Sequence, residues 1–186
     1  MRKIYLVIPI AAVVISLLVT YKLTRPPQPP IEIPNPAVLR IAPPLSLYDQ
    51  RSRLVRINPA YIGRHKLLVI FYDGSHGPHG SELLQRAIRG FAAIHESRPV
   101  VLAVSAVQSA ANRRALEAEG PVPFILLSDI LDYQAHRQWG VFDERTNTPR
   151  EAVFVIDRTG WIRHVHLGPD KLGTVEEWAA ELKAVR

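Results

Sequence analysis

The chain has 186 residues, 47% of them hydrophobic and 22% charged, and its 23 Lys and Arg against 17 Asp and Glu leave a formal charge of +6. That is one domain with extensions. It contains no cysteine, which excludes disulfides, thiolate metal sites, iron–sulfur clusters and every mechanism with a cysteine nucleophile.

Taken in chain order, the first feature is the stretch Ile4 to Tyr21, without Asp, Glu, Lys or Arg. A helix of that length rises about 27 Å, so a single membrane-spanning segment is expected. Pro9 is tolerated better in a membrane helix than in water. The next residues, Thr20 to Arg25, offer bulky and basic side chains where a cleavage site needs small ones. Residues 1–25 therefore read as an uncleaved anchor. The very short leading tail favours an inside N-terminus with the remainder exported. Residues 26–36 hold six prolines and read as a stiff, extended spacer of about 30 Å. Residues 1–36 also carry half of the net charge, and the rest of the chain has no run of Lys and Arg interleaved with aromatics, so nucleic acid is not an expected partner.

Residues 37–186 form the domain. Leu45 to Tyr48 and Leu54 to Ile57 flank Asp49-Gln-Arg-Ser52 as a hairpin. Leu67 to Tyr72 is continuously apolar, as a strand buried on both faces should be. Ser81 to His95 has the three- and four-residue apolar spacing of a helix. Val100 to Ser105 reads as a strand, Ala110 to Glu119 as a helix, Phe124 to Ser128 as a strand, and Ile130 to Trp139 as a helix. Ala152 to Asp157 and Trp161 to Leu167 read as strands joined by Arg158-Thr-Gly160. Thr174 to Val185 closes the chain as a helix with Thr174 as cap and Glu176 and Glu177 in its first turn. The order predicts an α/β domain, a central mixed sheet with helices on both faces.

That order resembles a known superfamily, together with Ala42-Pro-Pro-Leu-Ser-Leu-Tyr-Asp49, the strand from Leu67 followed by a Gly/Pro loop and helix, and Val153-Phe-Val-Ile-Asp-Arg-Thr-Gly160. It is similar to the thioredoxin-like redoxins, nearest the alkyl hydroperoxide reductase and thiol-specific antioxidant (peroxiredoxin) group. The resemblance covers about residues 40–186 and implies a thioredoxin-like fold and thiol oxidoreductase chemistry. It also implies a Cys-Gly-Pro-Cys motif at the first helix start, where this chain has His76-Gly77-Pro78-His79. Imidazole forms neither a disulfide nor a sulfenic acid. Matched instead to a peroxiredoxin Thr-Pro-x-Cys loop, the peroxidatic position falls on Gly80. Where redoxins have a cis-proline or an arginine before the Phe-Val-Ile-Asp strand, this chain has Glu151. A one-residue loop shift would bring Arg150 toward the site instead.

Three functional expectations result. One is a tethered redoxin-like domain without thiol chemistry or cofactor, acting as a binding or scaffold module with an envelope protein partner. Another is metal or acid/base chemistry: His76, His79 and Glu82 stand three residues apart, after Asp73, a ligand set for zinc or copper. The third, antioxidant activity, is what the resemblance implies and the missing cysteines oppose. His164 and His166 share one strand face, Trp139 and Trp161 read as packing residues, and Ser75 and Ser105 lack the setting of a hydrolase nucleophile.

Overall fold

The computed structural model describes residues 41–185; the expected anchor and spacer lie outside them. No helix among the described residues is long and apolar enough to cross a membrane. The strands are β1 (Ser46–Asp49), β2 (Leu54–Arg56), β3 (Leu67–Phe71), β4 (Val100–Ser105), β5 (Ile125–Ser128), β6 (Phe142–Asp143), β7 (Thr148–Pro149), β8 (Ala152–Ile156) and β9 (Ile162–Leu167). The main helices are α1 (Gly77–Gly80), α2 (Glu82–Arg89), α3 (Phe91–His95), α4 (Ser109–Glu119), α5 (Gln134–Gln138) and α6 (Val175–Ala184), with a kinked turn at Ile57–Ala60 besides.

Seven strands form one mixed sheet in the order β2-β1-β5-β4-β3-β8-β9, and β6 pairs with β7 separately. β3 and β5 run parallel to β4, while β8 lies antiparallel to β3 with Phe71 opposite Ala152. Every residue of β3 and β8 is buried. Alternate side chains enter opposite cores, which is why the run in β3 has no polar position. Leu68, Ile70, Val153 and Val155 face a core closed by α2, α3 and α6. Leu67, Val69, Phe71 and Phe154 face a second core filled by Ile57, Ala135 and Trp139. Both cores and the seven-stranded sheet are built from residues within 41–185.

The long helix expected from Ser81 to His95 is divided at Gly90. A Cβ on Gly90 would lie 2.2 Å from Val175 Cγ1, so the bare backbone there lets α6 seat against the break. The helix expected over Ile130–Trp139 shortens to α5, because Asp132 and Tyr133 both take left-handed backbone, each with φ of +52°. The terminal helix is as the sequence predicts. Thr174 Oγ1 accepts from Glu177 N and Glu177 Oε2 accepts from Thr174 N, a complete capping box.

Two hairpin turns are organised by buried aspartates. Asp49 accepts from Arg51 N, Arg53 N and Arg53 Nε at 2.8, 2.8 and 2.9 Å. Asp157 accepts from Thr159 Oγ1 at 2.6 Å, Trp161 N at 3.0 Å and Arg163 Nε at 2.7 Å. Burial pushes both carboxyls up, but these hydrogen bonds outweigh it and hold both below the ordinary carboxylate value of 3.8. A carboxyl depressed in the folded state adds stability that is complete above its unfolded pKa and vanishes as pH falls through its folded pKa. Stability is therefore expected to be flat above about pH 5, one unit over the unfolded value, and to decline below it. Urea midpoints measured against pH should show a shallower acid decline in Asp49→Asn/Asp157→Asn; an unchanged slope would refute the assignment.

Candidate functional site

The strand ends of β3, β4 and β5 meet where parallel α/β sheets usually bind ligands, at the carboxyl edge. β3 ends at Phe71, but Tyr72 N still donates to Val104 O at 3.0 Å. Burial pushes the Tyr72 hydroxyl up to about 12, with the Ser105 side chain opposing. The chain then leaves the sheet through Asp73, whose Oδ1 and Oδ2 accept from Ser75 N and Ser75 Oγ, both at 2.9 Å. That local bonding folds the loop back on itself. Gly74 passes so close to the β4–α4 connection that a Cβ there would lie 2.4 Å from Val107 Cγ2 and 3.0 Å from Ser105 Oγ.

Gly77, at φ +73°, then opens the single turn of α1. Pro78 sits at its start, where a missing donor costs nothing, and is buried. His76 is exposed just before the turn and makes no capping bond. Gly80 makes room for it, since a Cβ on Gly80 would lie 2.6 Å from His76 Cβ. His79 is half-buried, with Nε2 2.9 Å from the Gly120 carbonyl oxygen at the end of α4. A carbonyl only accepts, so Nε2 is the protonated nitrogen and only Nδ1 has a lone pair to offer.

The set His76, His79 and Glu82 is not assembled. Ser81 has extended backbone (φ −78°, ψ 119°) between α1 and α2, and its Oγ caps α2 by accepting from Leu84 N at 3.3 Å. Spacing by threes therefore does not put these residues on one helix face. Glu82 begins a new helix, exposed. Among the described residues, no group of three or more His, Asp and Glu is disposed to hold a metal ion.

Glu151 does stand beside this loop. Its Oε1 accepts from Asp73 N at 3.3 Å. Arg150 is committed elsewhere: Nη2 donates to Gly140 O at 2.9 Å and its backbone N donates to Val141 O at 2.8 Å. Arg150 thus anchors the chain ahead of β6 rather than taking the place a one-residue loop shift would give it. Ser75 is bound to Asp73, and Ser105 is buried opposite Ser128 in the β4–β5 register.

Sequence reasoning missed the most enclosed polar pair of the described residues. Asp129, next after β5, and His136, in α5, are both fully buried, with His136 Nδ1 2.6 Å from Asp129 Oδ2. The same oxygen accepts from His136 N at 2.9 Å. The signal available was that His136 stands between Ala135 and Trp139, two core residues. His164 and His166 share one face as expected, and both meet Glu181 of α6, at 3.2 and 2.9 Å. Trp139 is fully buried between Phe71 and Phe154, while Trp161 is exposed beside Arg163.

The model of the AhpC/TSA family matches residues 38–165. Among curated proteins none matches the chain. Solved structures similar to it include the mitochondrial 2-Cys peroxiredoxin of Plasmodium falciparum, with TM-score 0.63, 17% identity, and 79% of this chain and 92% of that chain covered. Peroxidoxin BcpB of Mycobacterium tuberculosis superposes with TM-score 0.63 at 17% identity, over 80% of this chain and 99% of that one. A peroxiredoxin-like protein of Aquifex aeolicus gives TM-score 0.59 at 19% identity, over 77% and 84%. At these identities the likeness is one of fold, and the fold is the thioredoxin-like α/β sandwich of the peroxiredoxins.

Proposed function

The chain belongs to the AhpC/TSA family, and on that premise we propose that it is a redox-silent member, a binding module held in the cell envelope by residues 4–21. The observation that carries this reading is the turn at the end of β3, where His76 and His79 flank Gly77-Pro78 in a chain without a single cysteine. A peroxidatic step needs a thiolate that can become a sulfenic acid, and thiol exchange needs two sulfurs. Histidine offers neither. His79 instead bonds the α4 terminus, and Glu151 beside the loop would repel a thiolate rather than stabilise one.

Residues 37–186 are expected to show no hydrogen peroxide consumption with a dithiol reductant and no reduction of insulin disulfides above the buffer rate. Turnover that disappears in His76→Ala would overturn the proposal by revealing non-thiol catalysis. The tether is tested separately, by protease treatment of intact spheroplasts: digestion of residues 37–186 is expected, and protection of everything but a short N-terminal tail would reverse the orientation. Co-purification with the anchor intact is the route to the envelope protein it binds.

A further inference from the structure

At the opposite end of β3 from the His76 turn, three chain segments converge on a cavity of about 360 Å³ lined by Arg64, His65, Lys66, Arg98 and Arg158. We propose that this cavity is a binding site for a phosphate group, borne either by a small soluble phosphate ester or by a phospholipid headgroup.

The walls are held by backbone bonds. Val100 N donates to Lys66 O at 2.9 Å, which ties the segment before β3 to the segment before β4. Gly63 N donates to Arg158 O, which ties in the turn after β8. Lys66 is fixed through Nζ, which donates to Leu182 O at 2.7 Å and keeps two further donors. None of the Arg64, Arg98 and Arg158 side chains has a carboxylate partner among the described residues. The one carboxylate on the wall, Glu96, is taken by Lys183 at 2.6 Å. Four cations thus share one concavity without a counter-charge of their own, an arrangement that repels itself when empty and concentrates anions.

The geometry of the wall favours phosphate over a simple halide. Guanidinium groups bind phosphate through paired N–H donors in a plane, and three of them from separate segments can address different oxygens. Arg98 is also held at φ +51°, a left-handed conformation uncommon for a non-glycine residue. It lies immediately before Pro99, which further restricts its backbone. This strain is local to the proposed site, where strained residues tend to gather.

The test uses residues 37–186 and begins with calorimetric titration of inorganic phosphate in low-salt buffer. Binding is expected, and Arg98→Ala/Arg158→Ala should weaken it about tenfold or more. Arg98→Gly is the second variant: glycine accepts the left-handed backbone, so it removes the charge while relaxing the strain and should fold at least as well yet bind less. Arg113→Ala/Arg114→Ala, on α4 outside the cavity, should leave binding unchanged. Co-sedimentation with vesicles of phosphatidylcholine containing phosphatidylglycerol, against phosphatidylcholine alone, identifies the source. Sedimentation lost in the Arg98 and Arg158 variants supports a headgroup, and phosphate binding without it supports a soluble ester. No phosphate binding and no sedimentation would overturn the proposal, as would equal weakening by the Arg113 and Arg114 control.

Discussion

Asp129→Ala is expected to lower the stability of residues 37–186 by about 3–5 kcal/mol, the scale on which one partner of a buried charge-capable pair is lost. One carboxylate oxygen of Asp129 accepts from both the backbone N and the Nδ1 of His136. Removing it strands two donors in a space where neither residue touches water. His136 is enclosed by Phe71 and Tyr133, with ring centroids at 5.0 and 5.8 Å, so no solvent reaches the imidazole to replace the lost acceptor. The same bond also fixes the chain through Asp132 and Tyr133, whose left-handed backbones are not otherwise favoured. Urea unfolding at constant m-value reads the change. Asp129→Asn, which keeps one acceptor oxygen, should lose roughly half as much. A loss below about 1 kcal/mol for the alanine variant would mean that the pair is not holding α5.

Trp178→Ala should be as damaging, again by about 3–5 kcal/mol, because it empties the largest space in the core that α6 closes. Trp178 is fully buried among Leu84, Ala87, Ile94 and Leu182, and its Nε1 donates to Leu172 O at 2.8 Å. The side chain thus fills volume and satisfies a buried carbonyl at once. Trp178→Phe separates the two contributions, since it preserves most of the volume and forfeits the bond; a cost of about 1–2 kcal/mol is expected. Equal effects from alanine and phenylalanine would assign the whole contribution to the hydrogen bond and contradict the packing argument.

Legibility in the sequence depends on whether a feature is local. β3 and β8 announce themselves as unbroken apolar runs because both faces are covered, and the α6 capping box is a four-residue pattern that needs no partner elsewhere. The position of the candidate turn is legible for the same reason, since Gly77-Pro78 comes soon after a strand. The break at Gly90 is not, because its cause is Val175, far along the chain. Nor is the role of His79, set by the carbonyl of Gly120, or the loss of Arg150 to Gly140. The spacing of His76, His79 and Glu82 suggests ligands only if one helix carries all three. The extended backbone of Ser81 makes it two. Asp129 and His136 read as an ordinary strand end and helix residue until folding places them together.

The interlock of His76 with Gly80 bears on whether a thiol could be introduced at this turn. Gly80 is where one matching places the peroxidatic cysteine, and any side chain there meets the Cβ of His76 at 2.6 Å. Alanine at position 76 would keep that Cβ and the clash with it; only glycine removes the atom. A cysteine at position 80 therefore requires a prior change at position 76 or a rearranged loop, and neither step alone restores a thiol in a usable setting. The turn therefore couples positions 76 and 80: a side chain at one is compatible with this backbone only when the other is glycine.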